Sequence, residues 1–93
     1  MKIWQVLARG EGFHRNGSAM CFELSGFVSA ADPNAAFAKA VHIATQDYVE
    51  IGQAEQPGFP RAVINVEEVQ ECSGMPVHQL DKIEILWFGE QEA

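Results

Sequence analysis

Basic side chains are scarce in this sequence, which has 6 lysine and arginine residues against 13 aspartate and glutamate residues. The formal net charge of −7 repels the phosphate backbone of nucleic acids unless the few cations cluster on one face. Nucleic acid is therefore a disfavoured partner. A basic protein partner is favoured instead, because complementary charge speeds its encounter with an acidic surface.

Long apolar runs and paired cysteines are also lacking. No stretch approaches the ~18 consecutive apolar residues of a membrane span, and the first apolar run meets Arg9 before it reaches signal-peptide length. Cys21 and Cys72 are far apart in sequence and fall in predicted strands, where a buried thiol is commoner than a disulfide. We expect a soluble protein of the reducing cytoplasm with no membrane partner.

Spacings that bind metals or support nucleophilic catalysis are absent. The three histidines and two cysteines form no CxxC, HxH or HExxH pattern that would put two ligands on one face. Cys72 and His78 lack any recognisable nucleophile and base signature. We therefore predict no catalytic residue, no metal and no cofactor, and the sequence favours a non-catalytic protein over an enzyme.

The chain has the length and composition of one folded domain over residues 1–93, with 47% hydrophobic residues. Alternation predicts strands over residues 3–9 and 20–30, with Gly26 as a bulge in the second. Asp32 can cap a helix that starts at Pro33 and stops at Gly52.

Two further strands are predicted over residues 62–72 and 83–88, with room for one helical turn after Pro76. The segment between these strands is too short for a crossover helix, which makes them antiparallel neighbours. The expected fold class is α+β, with a four-stranded, mainly antiparallel sheet and one long helix in the order ββαββ.

Residues 9–17, RGEGFHRNG, hold three glycines between two predicted strands. Phosphate-binding loops lead into a helix, but a strand follows here, and Asn16–Gly17 is a pair that tight turns favour. A hairpin loop is the favoured interpretation. Anion binding by Arg9, His14 and Arg15, or a mobile flap, remains open. Phe13 either packs onto the sheet or contacts a partner.

Glu67, Glu68 and Glu71 bring three carboxylates to one predicted strand. Such a run commonly protects a sheet edge from mispairing. The alternative is acid–base chemistry or the binding of a hard cation, because close carboxylates can raise a pKa or coordinate an ion.

Bulky aromatic residues exceed what one helix can cover. Four strands at ~4.8 Å spacing make a sheet wider than one helix ~10 Å across, and both faces carry apolar side chains. A second copy packed against the sheet would bury the other face. We therefore predict a sheet-paired homodimer, with Trp4, Phe22 and Trp87 as interface residues.

Residues 25–44, SGFVSAADPNAAFAKAVHIA, resemble a pattern of small, mostly uncharacterised bacterial α+β domains. HicB-type antitoxins share the order of strand, short turn and helix at this point. The resemblance implies a HicB-like or ferredoxin-like α+β fold, and dimeric α/β-barrel families illustrate how such sheets pair. The proline-glycine element that precedes the helix in the antitoxin family is missing here, and the acidic charge gives no DNA-binding appendage.

The leading functional hypothesis is a non-catalytic, homo-oligomeric interaction module of the cytoplasm, immunity- or antitoxin-like, with an acidic surface for a basic partner. The alternative is a small cofactor-independent enzyme or small-molecule binder with a pocket between helix and sheet. Four residues are the candidate ligand-binding set: Arg9, His14, Arg15 and Glu23.

Overall fold

The computed structural model describes residues 1–55, 62–74 and 77–89. The elements are β1 (Lys2–Arg15), β2 (Ser18–Ala30), α1 (Pro33–Asp47), a 3-10 helix (Val49–Glu55), β3 (Val63–Cys72), a short 3-10 helix (Val77–Gln79) and β4 (Lys82–Gly89). The predicted α+β class, with a four-stranded antiparallel sheet and one α-helix, is confirmed. Within these ranges, none of the helices has both the length and the apolar character needed to cross a membrane.

A long hairpin forms the centre of the sheet. Asn16 (φ 54°) and Gly17 (φ 80°) connect β1 to β2, and positive φ at both central residues is typical of the primed turns that match strand twist. The predicted turn is confirmed. At the other end of the hairpin the Trp4 indole Nε1 donates to the carbonyl of Ala30 at 3.0 Å.

The strand order is β3-β1-β2-β4, and every pairing between these strands is antiparallel. The predictions that β3 and β4 are neighbours and that the sheet is ferredoxin-like are therefore wrong. In βαβ-based folds a crossover helix separates strands along the chain, whereas here a two-residue turn pairs β1 directly with β2. The turn leaves one side of each hairpin strand unpaired. β3 then pairs with the outer side of β1, and β4 pairs with the outer side of β2.

The connection from β3 to β4 crosses the end of the sheet and is fixed at Asp81. Its backbone N–H donates to the Phe27 carbonyl at 2.7 Å, and its carboxylate Oδ1 accepts from the Ser29 amide at 3.0 Å. Lys39 Nζ on α1 lies 3.1 Å from the same Oδ1 and donates to the Ser29 carbonyl at 2.9 Å. Sheet, helix and connection are thus joined at one corner.

The helix begins where the sequence predicts. Asp32 Oδ1 accepts from the Ala35 amide at 2.8 Å, and Pro33 occupies the first turn, where its missing N–H costs nothing. The helix ends at Asp47 rather than at Gly52, because Tyr48 takes an extended conformation and the chain continues as a 3-10 helix.

The core lies between α1 and one face of the sheet. Ala36, Ala40 and Ala44 are fully buried, and their small side chains let the helix approach the strands closely. Ile51 adds a buried side chain from the 3-10 helix. The strand side of this core consists of Trp4, Val6, Ala8, Phe13, Phe22, Leu24, Val28 and Ala30.

A register shift between Gly10 and Phe13 changes which side chains of β1 face the helix. Because of it, Phe13 is fully buried, with its ring centroid 5.1 Å from that of Phe22. Gly26, predicted as a bulge, instead pairs in register with Val6 and Ile83. The predicted bulge is wrong: a side chain at Gly26 would meet the backbone of β4.

Candidate protein-interaction face

The sheet face opposite α1 is here called the open face. Strand register defines it, because side chains of paired residues share a face and alternate with those of the core. Its members include Ile3, Gln5, Leu7, Arg9 and Glu11 of β1; Glu23, Ser25 and Phe27 of β2; Val63, Asn65 and Glu68 of β3; and Lys82, Glu84, Leu86 and Phe88 of β4.

Apolar side chains lie on this face without a second layer over them in the described part of the chain. Leu86 is 66% exposed, and Leu7, Phe27 and Phe88 are partly buried. Exposed apolar groups surrounded by polar ones are typical of a protein-interaction surface.

Carboxylates outnumber cations on the open face. Among the residues just named, the four carboxylates of Glu11, Glu23, Glu68 and Glu84 exceed the two cations of Arg9 and Lys82 by two charges. Charged groups beside exposed apolar residues steer a partner of opposite sign and then fix its register.

The Arg9 side chain contacts three neighbours on the open face. Its Nε lies 3.3 Å from Glu11 Oε1, and its Nη1 lies 4.0 Å from Glu23 Oε1. Its guanidinium carbon is 5.0 Å from the Phe88 ring centroid. Arg9 therefore neutralises part of the negative charge of Glu11 and Glu23, while Glu68 and Glu84 are exposed and accessible to a partner.

A hollow of about 750 Å³ runs along β4. Its lining from the open face includes Leu7, Glu23, Ser25, Glu84 and Leu86. Leu7, Ser25 and Glu84 are direct cross-strand partners, so the small Ser25 side chain forms the low point between a leucine and a carboxylate.

The candidate ligand-binding residues are not brought to one pocket. Arg9 and Glu23 meet on the open face. Beyond the register shift, alternation puts the exposed His14 and the partly buried Arg15 on opposite faces of the sheet.

Arg15 lies at the other side of the sheet. Its guanidinium carbon is 4.9 Å from the Tyr48 ring centroid and 5.0 Å from the centroid of Trp87, and its Nε is 3.4 Å from Glu50 Oε2. These contacts tie the end of the hairpin to the helix end.

The three predicted interface residues lie under the helix rather than on the open face. Trp4 is 8% exposed and Phe22 is 0% exposed. The Trp87 centroid lies 5.1 Å from that of Phe22 and 5.7 Å from that of Tyr48. These tryptophans and Phe22 are therefore core aromatics of the single chain.

Leu7, Ser25, Glu84 and Leu86 are among the open-face residues that the sequence did not single out. The alternation in each strand separates two sets of side chains, but it does not say which set meets the helix. The carboxylate-rich set was the available signal, because a solvated face carries more charge than a core.

The carboxylates of β3 do not converge. β3 is an edge strand, and Glu68 pairs with Leu7 while Glu71 pairs with Trp4, so the two point to opposite faces. Glu71 Oε1 lies 3.6 Å from Lys2 Nζ. Among the residues described, no group of three or more His, Cys, Asp or Glu side chains is arranged to hold a metal ion.

A second hollow of about 610 Å³ lies between α1 and β3. Phe37, Val41, His42, Thr45 and Asn65 are part of its lining. It is mainly apolar, and the His42 and Thr45 side chains can donate or accept hydrogen bonds there.

No family model matches the chain, and comparisons with curated proteins and with solved structures give no match.

Proposed function

We propose that this chain is a non-catalytic, homo-oligomeric interaction module of the reducing cytoplasm, whose open face binds a basic protein partner in the manner of an immunity protein or antitoxin. The observation that carries the proposal is the combination of exposed apolar groups with excess carboxylates on a face that α1 leaves uncovered.

The open face combines apolar residues with carboxylates, and this combination supports a protein partner. Leu86 and Phe88 offer apolar area at one edge, and burial of such area drives association. Glu23 and Glu84 flank the hollow along β4 and would pair with lysine or arginine side chains.

A cationic peptide probe locates the site directly. We expect hexa-arginine, added to ¹⁵N-labelled protein at low salt, to shift the amide signals of Glu23, Ser25 and Glu84 and to leave those of α1 unchanged. The shifts disappear at high salt, because exposed charges are screened. Shifts confined to α1, or no shifts at all, would contradict the proposal.

Charge reversal then tests the natural partner. Once a basic protein is captured and identified, Glu84→Lys should abolish its binding by placing a cation against its cations. Glu71→Lys is the matched control, since it makes the same charge reversal on β3, on the sheet face opposite to the open face. Equal loss of binding in both variants would point to net charge rather than to the open face.

The hollow between α1 and β3 favours a second candidate function, the binding of a small molecule. In this alternative His42 and Thr45 orient a ligand whose apolar part contacts Phe37 and Val41. The test is a fragment screen followed by amide shifts: a specific binder shifts the signals of Thr45 and Asn65. Arg9, His14, Arg15 and Glu23 take no part in this hollow.

A further inference from the structure

The two edges of the sheet differ in how they resist pairing with another strand. On β3, register slips between Leu7 and Ala8, so that Glu67 forms a bulge between residues paired to β1. Glu67, Glu68 and Glu71 add charge along the same strand. Bulges and charges are the features by which edge strands avoid pairing with other chains.

β4 lacks these features. It pairs with β2 in unbroken register from Gly26–Ile83 to Met20–Gly89, and in the described chain no strand lies beyond it. Its charges, Lys82 and Glu84, are at its beginning, and residues 85–88 are uncharged. Leu86 is exposed in this part of the strand. An edge that is regular, uncharged and apolar is a template for another strand.

We propose that β4 pairs with β4 of a second copy of this chain, antiparallel about a two-fold axis perpendicular to the sheet. The two sheets then form one continuous eight-stranded sheet. The inference rests on the self-association in the proposed function and names the surface that forms it. A second copy fits because a two-fold contact uses the same strand on both sides.

Charge also favours the edge over the open face for this contact. Stacking two open faces would bring together two surfaces that each carry an excess of negative charge. Pairing at β4 puts both open faces on the same side of the joined sheet. They remain accessible and form a wider acidic surface for the basic partner.

The charges on β4 select the register. A two-fold axis at Glu84 would set two carboxylates opposite each other, which is destabilising. An axis at Ile85 would set Glu84 against the exposed Leu86. An axis at Leu86 covers this leucine with its copy and brings the second copy's Glu84 opposite Phe88, whose ring carries the Arg9 guanidinium. We therefore infer an axis at Leu86.

Hydrogen exchange on the wild-type protein tests the edge contact without any substitution. In a monomer, alternate amides of β4 point away from β2 and exchange quickly with solvent. In the proposed dimer all amides of residues 83–88 are slow, and dilution to the monomer restores fast exchange at alternate positions. The outward amides of β3 serve as the internal control and exchange quickly at every concentration.

Sedimentation of two matched variants gives the second measurement. Leu86→Lys should lose the dimer, because it puts two ammonium groups against each other at the axis. Val63→Lys introduces a lysine at a 39% exposed position of β3, which lies on the same sheet face as Leu86. This variant should remain a dimer. Leu86 is mostly exposed, so Leu86→Lys should fold, which its amide spectrum checks.

The outcomes separate the inference from the proposed function. A wild type that stays monomeric at all concentrations overturns both the self-association and this contact. A dimer whose outward β4 amides exchange as fast as those of β3 overturns only the edge contact. Loss of the dimer in Val63→Lys but not in Leu86→Lys also overturns the contact at β4 and would assign the interface to β3.

Discussion

At the scale of single residues, Gly10 is required by its neighbour rather than by its backbone. Any side chain at this position would overlap the Phe22 ring, which is fully buried among other aromatic rings. Gly10→Ala should therefore lower the free energy of unfolding by about 1–3 kcal/mol, as overpacking of a core does. Urea denaturation measures the change.

Gly52→Ala is the control for this prediction. The nearest atom to an added side chain there is Thr45 Cγ2 at 3.5 Å, which is ordinary van der Waals contact. We expect a much smaller change in the urea midpoint than for Gly10→Ala. Equal effects of the two substitutions would mean that the Phe22 ring has room to move.

At the scale of elements, the two ends of α1 carry aspartates with opposite effects. Asp32→Ala removes the acceptor for the Ala35 amide and should destabilise the protein by about 0.5–2 kcal/mol. Asp47→Ala removes a negative charge from the last turn, where it opposes the helix dipole, and should leave stability unchanged or raise it by a few tenths of a kcal/mol. Thermal unfolding by circular dichroism compares them, and a lower melting temperature for Asp47→Ala alone would contradict this assignment of the helix ends.

Elements with a local cause could be predicted from the sequence. The start of α1 follows from Asp32 and Pro33, and the hairpin turn follows from Asn16 and Gly17, because each pair determines its own backbone conformation. The extension of β1 beyond Arg9 was missed, since Gly10 and Gly12 interrupt the alternation that identifies a strand. Phe13 was the remaining signal, as a large aromatic that the register shift turns into the core.

At the scale of the whole molecule, prediction failed where the cause is nonlocal. No local signal between residues 72 and 82 indicates that the chain crosses from one side of the sheet to the other. β4 pairs with the free side of β2, and that side exists only after the β1–β2 hairpin has formed. The placement of Trp4 and Trp87 failed for a related reason, since helix docking decides between two equivalent faces. The sequence predicted an acidic surface and an uncovered sheet face but assigned the uncovered face to the dimer interface, and of the open-face residues it named Arg9 and Glu23, as ligand-binding candidates.

Folding kinetics should reflect this difference between central and outer strands. The hairpin has the most local contacts in the sheet, so it should form before β4 docks. Gly17→Ala, which forces a side chain into φ 80°, should cost about 1–2 kcal/mol and slow refolding. Ile83→Val in β4 should cost about 0.5–1.5 kcal/mol and mainly speed unfolding.

Stopped-flow refolding and unfolding of both variants in dilute solution check this order. Slower refolding of Ile83→Val, with its unfolding rate unchanged, would place β4 in the folding transition state instead.

The connection across the end of the sheet has a consequence for biosynthesis. β3 and β4 follow one another along the chain but occupy opposite sides of the hairpin. A translating ribosome therefore releases the hairpin and α1 while both sides of that hairpin still lack a strand. During this interval the nascent chain presents unpaired strand edges, which favour aggregation, and the side of β2 stays unpaired until β4 itself has emerged.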